Sequence, residues 1–166
     1  MRTNRKILRQ RGFSLVELMI VISIIGILVA IGIPAWQSSV RSTNEAAAIT
    51  SLQRISTAQV TYYNTMNRTG YGTFDQLANG RYIGKEFAGD TPDVNGYLFA
   101  MTLTPKSGNQ PAGYAVNADP EKDNGLTATG TRHFYIGSDV GTPTANLEKK
   151  AGPDDPPVGG GGGGSK

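Results

Sequence analysis

The sequence has no cysteine and a single histidine, two residue types that many catalytic and metal sites use. Its 166 residues include no cysteine, and His133 is the only histidine. The lack of cysteine excludes disulfide bridges, thiol catalysis and thiolate metal sites. No acid pair at a fixed spacing accompanies His133, so no nucleophile with its base can be assigned. The aspartates match no calcium-loop spacing. We therefore expect no enzyme activity, no cofactor and no metal.

Charged residues are also missing from one long stretch. None occurs from Leu18 to Val40, and a helix over that stretch covers about 34 Å, enough for a bilayer core of about 30 Å. Five cations precede Gly12, whereas only Arg41 follows closely behind the stretch. By the positive-inside rule, the N-terminus should lie in the cytoplasm and the C-terminal part on the outer side.

The basic composition does not indicate nucleic-acid binding. The formal net charge is +3, and because five cations precede Gly12, the remaining chain carries −2. A nucleic-acid interface would need a cationic face on the folded part. We expect no nucleic-acid partner.

What is present begins with a basic block, a Gly-Phe step and an apolar run that contains one acid, Glu17: KILRQRGFSLVELMIVISIIGILVAIGIPAWQ. A secretory signal peptide has an apolar core of about 7 to 15 residues before its cleavage site, and this run is longer. An ordinary signal peptide and a plain single-span anchor remain the two alternatives from composition alone.

The residues from Arg11 to Val21, RGFSLVELMIV, closely resemble the prepilin signature shared by type IV pilins and the pseudopilins of type II secretion. The resemblance implies that a prepilin peptidase cuts between Gly12 and Phe13 and then methylates the new Phe13 amine. It also implies an inner-membrane protein in contact with lipid, which passes through an inner-membrane assembly platform into a homopolymeric filament at the cell surface.

Physical reasoning supports a cut at that point. Cleavage removes the cations that hold the chain on the cytoplasmic face but leaves the apolar helix on the product. It also creates a new cation at Phe13. Inside packed helices, Glu17 without a partner would be a buried unpaired charge. Removing one partner of a buried ion pair costs about 3 to 5 kcal/mol. We expect Glu17 of one subunit to meet the Phe13 amine of a neighbour and to set the register; the alternative is that Glu17 only favours the helix N-terminus.

Gly26 and Pro34 interrupt the pattern of the apolar run. Pro34 removes a backbone donor and crowds the carbonyl of Ala30, so a kink or break is expected. In type IV pilins with similar spacing, the resemblance implies loss of helicity between the glycine and the proline in the filament. The alternative is that membrane helices simply tolerate both residues.

Beyond Pro34 the helical pattern continues to Asn67. Apolar and small residues recur at spacings of three and four and predict one amphipathic face, made of Ala48, Ile49, Leu52, Ile55, Gln59, Tyr62 and Met66. A short helical turn is expected at 73–78. Three strands are predicted at 96–104, 113–117 and 132–138, separated by turn-rich intervals, and an antiparallel meander is the simplest topology.

The predicted fold is α+β: a long N-terminal helix, transmembrane and then amphipathic, packed on a small antiparallel sheet, which is the pilin fold. The expected segments are a leader, a membrane or filament-core helix, an amphipathic helix, a sheet domain and a disordered tail rich in proline and glycine, at residues 1–12, 13–36, 37–67, 68–148 and 149–166.

The most direct interpretation is the major subunit of a type IV pilus-like filament. A type II secretion pseudopilin, or a minor pilin for adhesion or DNA uptake, is the alternative. Trp36, the only tryptophan, lies in the helix, which counts against a major pseudopilin because that form usually carries a tryptophan in a calcium-binding motif.

Overall fold

The computed structural model describes residues 12–125 and 127–159, which divide into two compact units at the Trp36–Gln37 boundary. Helix α1, Leu15–Thr65, begins in the first unit and ends in the second. The second unit carries all other helices and strands that the structure describes. The leader predicted at residues 1–12 lies outside the described residues except for Gly12.

The second unit contains a five-stranded antiparallel sheet in the spatial order β1-β2-β3-β4-β5. The prediction of an antiparallel meander is confirmed. Its three predicted strands correspond to β2, β3 and β4, and sequence analysis missed the outer two. The strands are Asp93–Val94, Tyr97–Thr104, Gly113–Pro120, His133–Gly137 and Val140–Asn146.

Short helical segments connect α1 to the sheet. Helix α2, Phe74–Asn79, begins with a capping box in which Thr73 and Gln76 bond each other's backbone amides. A 3₁₀ turn follows at Lys85–Phe87. The capping box explains why the short turn expected at 73–78 forms at this point of the sequence.

The core of the second unit lies between α1 and one face of the sheet. Leu52 and Ile55 of the helix are fully buried, as are Phe99, Val116 and Phe134 of the sheet. Burial of such a side chain contributes about 1.5 to 3 kcal/mol. The predicted α+β architecture, a long helix packed on an antiparallel sheet, is confirmed.

The predicted amphipathic face is buried over most of its length. Ala48 and Gln59 are at most 1% exposed, as Leu52 and Ile55 are, whereas Tyr62 is half-buried and Met66 is 42% exposed. Burial of this face therefore decreases toward the end of α1, where Tyr62 still packs edge-on against Tyr82 with 5.7 Å between the ring centroids.

The chain after β5 differs from the disorder expected from residue 149. Ala151 is 4% exposed, Pro157 pairs with Thr144, and Val158 packs against the core. Composition alone suggested disorder because prolines and glycines bury little surface. Specific hydrogen bonds to the sheet hold residues 151–158 instead.

Candidate assembly surface

The N-terminal end of α1 carries the candidate processing and assembly residues, Gly12, Phe13 and Glu17. Ser14 precedes the helix, and its hydroxyl accepts a hydrogen bond from the Val16 amide at 3.3 Å. In return, the Glu17 carboxylate accepts a hydrogen bond from the Ser14 amide at 3.2 Å. Ser-x-x-Glu is a capping-box sequence, so Glu17 caps its own helix in this single chain.

Capping places the Glu17 carboxylate next to the predicted cleavage point. Ser14, whose amide it accepts, is the residue directly after Phe13, where cleavage would create a new amine. The contact is exposed, and a cap of this kind contributes about 1 kcal/mol. The Glu17 carboxylate therefore lies near the N-terminal end of the helix, and this contact holds it only weakly.

Every described residue from 12 to 36 is exposed, although most of these side chains are large and apolar. Phe13 is 85% exposed, Ile31 69% and Trp36 67%. An apolar surface this large on a soluble monomer is unfavourable and marks a membrane or protein contact. By length and composition alone, α1 can cross a membrane.

Gly26 and Pro34 both lie inside α1, which is helical without interruption from Leu15 to Thr65. A side-chain carbon added at Gly26 would meet open space. The break expected between these residues is thus absent from this single chain, where the remaining backbone hydrogen bonds sustain the helix around Pro34. Loss of helicity in a filament stays a prediction.

Within the second unit, Glu45 ties α1 to the segment before β4. Its carboxylate accepts hydrogen bonds from the Thr131 amide at 3.0 Å, the Thr131 hydroxyl at 2.8 Å and Arg132 Nε at 2.8 Å. Burial by itself would raise the pKa of Glu45, but these hydrogen bonds together outweigh it and hold the pKa below its ordinary value.

One turn before Glu45, Arg41 binds the same segment. Its guanidinium donates to the carbonyls of Gly125 at 2.7 Å and Ala128 at 3.2 Å, and Asn44 donates to the Thr129 carbonyl at 2.9 Å. We call the contacts that Arg41, Asn44 and Glu45 make with the segment before β4 the clamp. Sequence analysis missed the clamp, although one signal was present: Arg41 and Glu45 are the only charged residues of α1 between Glu17 and Arg54.

His133, the first residue of β4, lies beside an acid. Its Nδ1 lies 2.7 Å from Asp119 Oδ1, and Lys150 Nζ lies 3.3 Å from the other oxygen of Asp119. In residues 12–125 and 127–159 no group of three or more His, Cys, Asp or Glu side chains could hold a metal.

Comparisons with known proteins agree with this arrangement. The family model for the prokaryotic N-terminal methylation motif matches residues 7–33. A fimbrial protein of Neisseria meningitidis is 30% identical over 117 residues, which cover 70% of this chain and 69% of that protein. The prepilin peptidase-dependent protein D of Escherichia coli K12 is 34% identical over 139 residues, 79% of this chain and 87% of its own length.

Other matches are shorter. The type IV major pilin protein PilA of Myxococcus xanthus is 43% identical over 68 residues, which cover 41% of this chain and only 31% of that protein. No solved structure matches significantly. The two long alignments each cover more than two thirds of this chain, far more than the residues 7–33 that the methylation motif matches. The chain therefore belongs to the type IV pilin family and is a pilin structural subunit.

Proposed function

We propose that the chain is the major subunit of a type IV pilus-like filament, cut by a prepilin peptidase between Gly12 and Phe13 and methylated at the Phe13 amine. One observation supports this most: residues 12–36 are exposed throughout, apolar in large part, and carry Glu17 as their single acid. Such a surface needs a cover, which is lipid before assembly and other copies of the same helix afterwards.

The helix enters the inner membrane with its N-terminus in the cytoplasm, as the five leading cations favour. Residues 13–36 then form the filament core, and residues 37–67 with the sheet domain lie outside the membrane. The assembly platform moves the cleaved chain into a filament at the cell surface. Relatives named as pilins and fimbrial proteins support a filament subunit over a secretion pseudopilin.

Glu17 sets the axial register by pairing with the Phe13 amine of a neighbouring subunit. In a filament core both charges are removed from water, and a subunit docked at another height would leave both unpaired, at a cost of about 3 to 5 kcal/mol. Among the described residues, the Glu17 carboxylate is held by an exposed contact with the Ser14 amide, so a stronger partner can replace that contact.

Two variants separate the register role from helix capping. Glu17→Gln removes the charge, whereas Ser14→Ala weakens the cap and leaves the charge in place. If Glu17 pairs with an amine, Glu17→Gln abolishes or strongly reduces filaments, as sheared-fibre yield measures, and Ser14→Ala does not. Equal yields from both variants and the unchanged chain would exclude the register role.

Mixed-label filaments test the pairing itself. Half of the subunits carry ¹⁵N at the Phe13 amine and the other half ¹³C at the Glu17 carboxylate, so a solid-state NMR contact between the labels can arise only between subunits. Mass spectrometry of the same fibres tests the processing, because the first residue should be methylated Phe13. Fibres with another first residue would refute the cleavage proposal whatever the NMR result.

A further inference from the structure

The outer edge of β5 is occupied by the chain that follows it. The Ala145 amide donates to the Pro156 carbonyl at 2.9 Å, and the Val158 amide donates to the Pro143 carbonyl at 2.7 Å. Between these two bonds Thr144 and Pro157 form an antiparallel bridge. Residues 156–158 thus lie beside β5 as a short sixth strand. We use the name strap for residues 151–158.

Polar side chains on the sheet hold the rest of the strap. Asn117 donates to the Ala151 carbonyl at 2.8 Å, and Thr144 donates to the Gly152 carbonyl at 2.7 Å. Asn146 donates to Asp155 at 2.7 Å, and the Asp155 carboxylate also accepts from the Gly152 amide at 2.8 Å. These last two hydrogen bonds hold the pKa of Asp155 below its ordinary value.

Without the strap, β5 would be an exposed edge strand. The backbone groups of Ala145 and Pro143 that bond the strap point away from β4, so they would be free to pair with another chain. Such an edge is a template for unwanted strand pairing, and proteins commonly cover it or interrupt it. At the opposite side of the sheet, β1 has only two residues, which pair with Tyr97 and Leu98 of β2.

We propose that the strap seals the β5 edge against strand pairing with other copies of this chain. Pro143 supports the same assignment. In a strand, the amide and carbonyl of one residue point to the same side, and the Pro143 carbonyl points outward. The outer edge therefore has no amide donor at Pro143. The edge therefore offers few donors, and the strap engages the Ala145 donor.

The full chain in detergent, with its leader uncleaved, gives the test. A chain that ends after Lys150 lacks the strap, while a chain that ends after Gly159 keeps it and serves as the control. Helix-mediated association is the same in both. The shorter chain should form larger species that bind thioflavin T, as sedimentation velocity and fluorescence measure, and the control should not.

A rescue variant distinguishes edge pairing from simple loss of stability. Ala145→Pro removes the outward amide without touching a bond to β4, so it should suppress association in the shorter chain. Association that persists unchanged in the Ala145→Pro chain would overturn the proposal, as would a shorter chain that sediments like the control.

A full-length variant decides the matter if the shorter chain fails to fold. Val158→Pro removes one strap donor, and Val158→Ala keeps that donor while trimming the side chain. Hydrogen exchange of the Ala145 amide should be about tenfold faster in Val158→Pro than in Val158→Ala. Equal exchange rates in the two variants would show that the strap does not close this edge.

Discussion

Gln59 and Gly72 are joined by a closed pair of hydrogen bonds inside the second unit. Gln59 Nε2 donates to the Gly72 carbonyl at 2.7 Å, and Gln59 Oε1 accepts from the Gly72 amide at 2.9 Å. The Gln59 side chain is fully buried, and Nε2 also lies 3.2 Å from the Met101 sulfur. One amide side chain thus satisfies both backbone groups of Gly72, which lies in the segment between α1 and α2.

Gln59→Leu should lower the stability of the domain by about 2 to 4 kcal/mol, because it leaves the buried amide and carbonyl of Gly72 without partners. Gln53→Leu is the matched control, since Gln53 lies on the exposed side of the same helix. Thermal unfolding in detergent, followed by circular dichroism, measures the difference. Equal midpoints for the two variants would contradict the assigned role of Gln59.

Acid should weaken the clamp at Glu45. A carboxyl group whose folded pKa lies below its unfolded value adds stability above the unfolded value, here 4.5, and that stability is lost as the pH falls through the folded pKa. Glu45→Gln should therefore destabilise the domain by about 2 kcal/mol at pH 7. The difference from the unchanged chain should shrink as the pH falls below 4.5.

Urea unfolding between pH 7 and pH 3 measures that convergence. Glu86→Gln is the control, because it removes a carboxylate from an exposed position in the 3₁₀ turn. A Glu45→Gln profile that stays parallel to that of the unchanged chain down to pH 3 would mean that the Glu45 charge adds nothing to the fold.

Periodicity identified the elements whose burial repeats regularly. Leu52, Ile55 and Gln59 follow helical spacing, and burial alternates along β3 and through the first half of β2, so local pattern and tertiary structure agree there. The prepilin motif is equally local, which is why the candidate processing residues could be predicted from about ten positions.

Strand β5 and the strap could not be predicted in the same way. Gly141 and Pro143 weaken a strand signal, and Pro143 fits only because β5 is the outermost strand of the sheet. The burial of Glu45 likewise depends on Thr131 and Arg132, which lie 86 and 87 positions further along the chain. Contacts between distant segments decide these features, and local propensity does not report them.

The turn between β1 and β2 should require glycine at position 96. Asn95 and Gly96 have φ of +55° and +73°, the conformation of a type I′ hairpin turn. A side-chain carbon on Gly96 would lie 2.8 Å from Cβ of Thr129. Gly96→Ala therefore adds a clash to backbone strain and should cost about 2 kcal/mol or more.

Gly108→Ala separates the two effects. Gly108 has a φ of +54°, but a side-chain carbon there would meet open space, so only the strain of about 1 kcal/mol applies. Thermal unfolding should rank Gly96→Ala below Gly108→Ala, and both below the unchanged chain. Equal losses would show that Thr129 moves away without cost.

Pro34 should control the helicity of the filament core rather than the fold of the single chain. Here α1 is helical through Pro34, so Pro34→Ala should leave the circular dichroism of the detergent-solubilised chain nearly unchanged. In filaments, the expected loss of helicity between Gly26 and Pro34 should be reduced, because alanine restores the missing donor and is about 3 kcal/mol more favourable than proline inside a helix. Backbone carbon shifts of labelled filaments measure this segment directly. Helical shifts from Gly26 to Pro34 in unchanged filaments would refute the predicted break.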